Sequence, residues 1–89
     1  MVIRRRVIVR GLVQGVFFRD STKRLAQRHD VTGWVANRSD GAVEAVFEGE
    51  PSGVERLVSF SREGPRGAQV ESIEVTEEEP EGLAGFAVR

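Results

Sequence analysis

The chain has 89 residues, 39% hydrophobic and 30% charged, with no cysteine and one histidine, His29; this fits one globular domain over 1–89 and excludes disulfide frameworks, thiol nucleophiles, cysteine-based zinc or iron–sulfur sites and multi-histidine metal centres. The net charge is −1, yet residues 1–38 hold nine basic and two acidic side chains and residues 39–89 hold four basic and twelve acidic, so folding either interleaves the two halves or leaves a positive end that attracts an anion. The longest uncharged run, Gly11–Phe18, is far short of a membrane span, and the MVIRRR start is followed by too short an apolar stretch for a signal peptide, so a cytoplasmic protein without a membrane partner is expected.

Val7 and Val9 alternate with Arg6, Ile8 and Arg10, which predicts a strand with a core face and a more open face, ended by Gly11. Arg4, Arg5 and Arg6 read as its solvated start. Gly11–Val16 has two glycines four residues apart and no helical period, the pattern of a loop. Phe18, Thr22, Leu25, Ala26 and His29 then recur at helical spacing and predict a helix over about 18–28. A short strand over 31–37 follows, with Trp34 on the side of the sheet opposite Val35. Ser39, Asp40 and Gly41 form a hairpin turn. In the next strand, 42–48, Val43, Ala45 and Phe47 face the core, and Glu44, Val46 and Glu48 face outward. Pro51 suits a helix start, Val54, Leu57, Val58 and Ser61 share one helical face, and Gly64-Pro65 stops the helix. Residues 70–76 alternate, with Val70, Ser72 and Glu74 on one side and Glu71, Ile73 and Val75 on the other. Glu77–Glu79, Pro80 and Gly82 form an acidic turn, and 85–89 a last short strand aligning Phe86 with Val88. The order βαββαβ plus a terminal strand predicts an α+β, ferredoxin-like two-layer sandwich: an antiparallel sheet with two helices on one face.

The segment with chemical content is GLVQGVFFR, residues 11–19, between a strand and a helix. Glycines let successive backbone N–H groups converge on a ligand, and the following helix aims its positive end at the same place. Arg19, in the first helical turn, carries a planar guanidinium that matches two phosphate oxygens. The pattern is that of a phosphate cradle, and it lacks the Gly-Lys-Ser/Thr of nucleotide phosphate loops. Asn37, at the end of its strand, can hold a water through its oxygen and donate to phosphate through its nitrogen; as a local feature it also suits the start of the hairpin turn.

GLVQGVFFR, followed by GWVANRSDGAVE and a final Phe-x-Val, resembles the acylphosphatase family over essentially the whole chain. The resemblance implies hydrolysis of the carboxyl–phosphate bond of acyl phosphates, without metal or other cofactor. It assigns phosphate binding to Arg19 and to the backbone N–H groups of Leu12, Val13, Gln14, Gly15, Val16, Phe17 and Phe18, and positioning of the attacking water to Asn37. Inorganic phosphate, the product, would compete with the small-molecule substrate, and a monomer is expected. Asp20 places a negative charge beside the cradle and should point away from it. His29 reads as a solvated helix end, remote from the loop.

A ferredoxin-like sheet also serves as an RNA-binding module when aromatic and basic residues line its open face. Here Glu44, Val46 and Glu48 stand there instead, and no nucleic-acid partner is expected. A catalytically idle relative that binds acyl or carbamoyl phosphate is the remaining alternative.

Overall fold

The computed structural model describes residues 1–89. Seven elements follow in order: β1 (Ile3–Leu12), α1 (Phe18–Arg28), β2 (Thr32–Asn37), β3 (Val43–Gly49), α2 (Pro51–Glu63), β4 (Gln69–Glu78) and β5 (Phe86–Val88). Both helices have the predicted bounds. Pro51 opens α2, and Gly64, with a φ of 75°, closes it in a conformation that suits glycine.

The strands form one sheet in the order β4-β1-β3-β2-β5. Their inner face and both helices enclose one apolar cluster, in which Val7, Val9, Val35, Val43, Ala45 and Phe47 meet Phe18, Ala26, Val54 and Leu57. The alternation read in β1 and β3 therefore assigns the core face correctly. Two helical hydroxyls buried in this layer, on Thr22 and Ser61, donate to the carbonyls of Phe18 and Leu57 at 2.8 Å, so neither is left unpaired.

The sheet is mixed rather than wholly antiparallel, because β5 runs parallel to β2. The direction follows from the route of the chain. Arg4, Glu48, Thr32 and Glu78 lie across one end of the sheet. There β4 stops and β2 begins, and the chain crosses from one edge to the other, so β5 has to run with β2.

Gly11 does not end β1. It sits at a bulge, where the register shifts between Arg10, opposite Ser72, and Gly11, opposite Val70. Its φ is 131°, and a Cβ there would lie 2.2 Å from the carbonyl oxygen of Gln69, so only glycine lets the two strands approach. The extra residue, Glu71, rephases β4. Val70 and Ile73, expected on opposite faces, both pack against the core.

The outer face is not open. Val46 is buried, and Glu48 is 2% exposed. Arg4 is no solvated strand start, being 4% exposed. Its Nη1 donates to Glu48 Oε2 at 2.7 Å and its Nε to Glu78 Oε1 at 2.8 Å. Arg6 donates to Glu78 Oε2 at 2.7 Å and to Glu44 Oε2 at 2.6 Å. On the same face Arg10 pairs with Asp40, while Arg5 pairs with Glu77 on the helix side of the sheet edge. Glu77 and Glu78 thus belong to β4 rather than to an acidic turn. The charge asymmetry of the sequence is resolved by interleaving: the arginines of β1 meet the carboxylates of the second half across the sheet. Trp34 lies on this face as expected, with the guanidinium carbons of Arg89 and Arg6 at 4.5 and 5.6 Å from its ring centre. No helix is long and apolar enough to cross a membrane.

The lattice fixes the response to acid. Hydrogen bonds from Arg6 and then Arg4 hold the Glu78 carboxyl down to about 2. Burial pushes the Glu48 carboxyl up, but the N–H of Glu81, the Arg4 guanidinium and the N–H groups of Leu83 and Gly82 outweigh it and leave it below the ordinary value. A carboxyl lowered in the folded state stabilises fully above its unfolded value and loses that contribution as pH falls towards its folded one. Denaturant unfolding should therefore show constant stability from neutral pH to about 5, then a decline as Glu78 protonates between about 4.5 and 2. With its partial solvent screening, Glu78 should account for about 1–2 kcal/mol of that decline. Glu78→Gln should be less stable at pH 7 and flatter on the acid limb; an acid limb of unchanged steepness would count against this assignment.

Candidate active site

β1 delivers the chain at Leu12 into the loop Val13–Phe17, which turns back into α1. Gly15 adopts φ 75°, and Phe17, the residue that caps α1, adopts φ 63° and ψ 26° without a capping side-chain hydrogen bond. These two left-handed residues fold the loop around the start of the helix. The first turn-closing hydrogen bond runs from Ser21 N to Phe17 O at 3.0 Å, and no backbone N–H from Gln14 to Asp20 donates to an acceptor within the protein. Loop and helix start thus present a run of free donors at the positive end of α1, an arrangement suited to an anion.

The loop is tied to the β2–β3 turn by a side chain that sequence reasoning had credited only with a backbone role. Gln14 Nε2 donates to the carbonyls of Arg38 and Ala42 at 2.8 and 3.0 Å. The turn itself is closed by Arg38 N to Ala42 O at 2.8 Å and by Ala42 N to Asp40 Oδ1 at 3.1 Å. The Ala42 N–H, with Arg38 and Arg10, holds the Asp40 carboxyl below its ordinary value, so it stays ionised in this role. Since Asn37 ends β2 immediately before the turn, the Gln14 tie fixes the cradle relative to Asn37.

A cavity of about 370 Å³ results, walled by Val13, Gly15, Phe17 and Phe18 of the loop and helix start, Arg19 and Asp20 of α1, Asn37 of β2 and Val88 of β5. The two residues singled out for chemistry are therefore brought to one cavity from positions eighteen apart in sequence. Arg19 forms no salt bridge; its Nη1 donates to the carbonyl of Arg89 at 3.2 Å, which leaves the rest of the guanidinium fork without a protein partner. Asn37 is exposed, with no hydrogen bond from its side chain to the protein. Asp20 does border the cavity, but its carboxylate pairs with Arg24 at 3.2 Å, one turn further along α1.

Leu12, Gln14 and Val16 are not among the walls. Leu12 closes β1 opposite Gln69, and Val16 packs against the apolar core. His29 caps the far end of α1, outside this cavity. No group of three or more His, Asp or Glu side chains is arranged to hold a metal ion. Val88 and the Arg89 carbonyl were missed from sequence, where Phe-x-Val signals only a strand and not the place at which it docks.

The acylphosphatase family model matches residues 5–88. An acylphosphatase of Gloeobacter violaceus is 54% identical over 97% of this chain and 92% of its own, and one of Rubrobacter xylanophilus is 59% identical over 94% of this chain and 77% of its own. The solved structure of an acylphosphatase from Coxiella burnetii, 40% identical, superposes with a TM-score of 0.94 over 99% of this chain and 93% of that one. With the match spanning loop, hairpin and final strand alike, the chain belongs to the acylphosphatase family, the enzymes that hydrolyse acyl phosphates.

Proposed function

We propose that this cavity hydrolyses acyl phosphates without a metal ion, with Arg19 and the free loop N–H groups binding the phosphoryl group and Asn37 positioning the attacking water. The observation that carries the reading is the convergence of a guanidinium fork whose donors other than Nη1 are free of protein partners, a run of free N–H donors and an unpaired carboxamide on one cavity. The guanidinium and the N–H groups are fixed before substrate arrives, so they stabilise charge on the transferring phosphoryl without reorganising. Asn37 holds a water through its carboxamide oxygen and orients it towards phosphorus, which makes the attack effectively unimolecular.

In the step, the water oxygen forms a bond to phosphorus as the bond from phosphorus to the acyl oxygen breaks. The electron pair leaves with the acyl oxygen as a carboxylate. The water proton passes to a non-bridging oxygen of the substrate's own phosphoryl group, and dihydrogen phosphate departs. A carboxylate is a weak base, so the leaving group needs no general acid, and passage of the water proton to the phosphoryl oxygen leaves no step that calls for a protein base. Inorganic phosphate would occupy the same donors and compete with substrate.

The direct test is hydrolysis of acetyl phosphate in the presence of a chelator, beside an alkyl phosphate monoester. Turnover of the first should persist and the second should be nearly inert; loss with chelator, or comparable monoester turnover, would overturn the mechanism.

Arg19→Ala should lower turnover by about 10²–10³ and weaken phosphate inhibition. Arg19→Lys should fail to restore either, because a point charge does not reproduce the fork. Steady-state kinetics with phosphate as inhibitor checks both, and near-normal behaviour of the lysine variant would show that two-point geometry is unimportant.

Asn37→Ala should lose turnover while phosphate still inhibits. Asn37→Asp should lose both, since an anion on the cavity wall repels a phosphate held at close range. Full turnover in the alanine variant would return Asn37 to a turn-forming role.

A further inference from the structure

Charge is satisfied within the sheet and left over on the helices. Each arginine of β1 finds a carboxylate. The two helices carry six basic and three acidic side chains, although the whole chain has a net charge of −1. The one ion pair among them joins Arg24 to Asp20, and Lys23, Arg28, Arg56 and Arg62 form no salt bridge. Single solvated cations on a helix are ordinary; several that converge on one concavity with an apolar floor are not.

That concavity is a groove of about 280 Å³ between α1 and α2. The helices run antiparallel, since the Phe18 ring packs on Phe60 at one end and a Cβ on Gly53 would touch the His29 carbonyl at the other. Arg28, in the last turn of α1, and Arg56, in the first half of α2, therefore share the end remote from the active cavity, with Arg24 one turn nearer to it. Glu63, the last residue of α2, stands at the opposite end. Leu25 and Phe60 are the apolar lining, both partly buried against the core. No residue of the groove belongs to the active cavity.

We propose that this groove docks an acidic amphipathic helix of a partner protein, with carboxylates on Arg28, Arg56 and Arg24 and apolar side chains on Leu25 and Phe60, and that the active cavity stays open while it is bound. A helix laid between two others presents apolar side chains at helical spacing to the groove and charged ones to its rims. The guanidinium forks match carboxylates two-point. A small anion would use the arginines and leave the apolar lining in water. A nucleic-acid backbone repeats its charge along the whole groove and meets Glu63. A polypeptide varies along its length and can place a neutral or basic residue there. Because the chain as a whole is slightly acidic, attraction for an acidic partner is confined to this groove.

The test is fluorescence anisotropy with a labelled synthetic peptide of glutamate and leucine, the leucines at helical spacing. The same peptide with glutamine for glutamate and a single-stranded RNA serve as comparisons. The wild type should bind the glutamate peptide, less tightly as salt rises, and should bind the glutamine peptide about tenfold more weakly. The double variant Arg28→Glu/Arg56→Glu should lose about tenfold in affinity. Glu63→Arg should bind more tightly than the wild type, because the probe is acidic throughout. Turnover of acetyl phosphate should be unchanged in both variants and in the presence of saturating peptide, which shows that the variants are folded and the cavity is open. Absence of binding, equal binding of the glutamine peptide, undiminished binding by the double variant, or competition between peptide and acetyl phosphate overturns the proposal. Tighter binding of the RNA than of the peptide at the same salt overturns it too, and assigns the groove to nucleic acid.

Discussion

One buried carboxylate organises the outer half of this molecule. Glu48 sits on the central strand, at one end of the sheet, and faces away from the apolar core, where a buried ionised group is tolerable only if several donors surround it. Its two oxygens accept from Arg4 and from the N–H groups of Glu81, Gly82 and Leu83 at 2.7 to 3.1 Å. Arg4 in turn holds Glu78. Strands β1, β3 and β4 and the connection to β5 thus meet at a single charge. Because that connection is pinned to the sheet, β5 is laid beside β2, Val88 becomes a wall of the cavity, and the Arg89 carbonyl reaches Arg19. A charge on the face remote from the helices decides where one side of the active cavity stands.

The two faces of the sheet achieve different things with different physics. The inner face gains from non-directional burial of valine, alanine and phenylalanine, which tolerates small adjustments. The outer face depends on short, charge-assisted hydrogen bonds between arginines of β1 and glutamates of β3 and β4, which are directional and fix register. In a chain this short the core is thin, and the directional lattice limits how far strands slide. The site lies at the opposite end of the sheet from Glu48, between the loop after β1 and the turn after β2, where rigid strand ends hold a loop that has few contacts of its own. Gln14 supplies the most direct of these, bonding two carbonyls of the hairpin that carries Asn37.

This division suits a reaction that asks for placement more than for proton transfer. A phosphoryl group with a good leaving group needs fixed positive charge and an aligned water. The loop provides donors by leaving its own N–H groups without acceptors, a state that would be costly in the core but is sustained at the surface beside a helix start. The left-handed Gly15 and Phe17 are the backbone cost of aiming these groups inward.

Much of this was legible in the residues themselves. Helical spacing from Phe18 to Arg28, Pro51 and Gly64 at the ends of α2, and period-two alternation in β1 and β3 fixed the elements and the core face, because these signals act between neighbours a few residues apart. The Gly-rich loop with Arg19, and Asn37 before the Asp-Gly turn, likewise marked the chemically active residues locally. Tertiary structure alone decided which partner each charge would find. Arg4, Arg6 and Glu78 looked solvated until strand pairing brought them together, and the bulge at Gly11 brought Val70 and Ile73 to one face by a pairing shift that β4's own alternation does not record. The same holds for Gln14's tie to the hairpin and for Val88 in the cavity wall. Periodicity encodes which way a side chain points; what it meets there depends on the return path of distant chain, which only the folded molecule specifies.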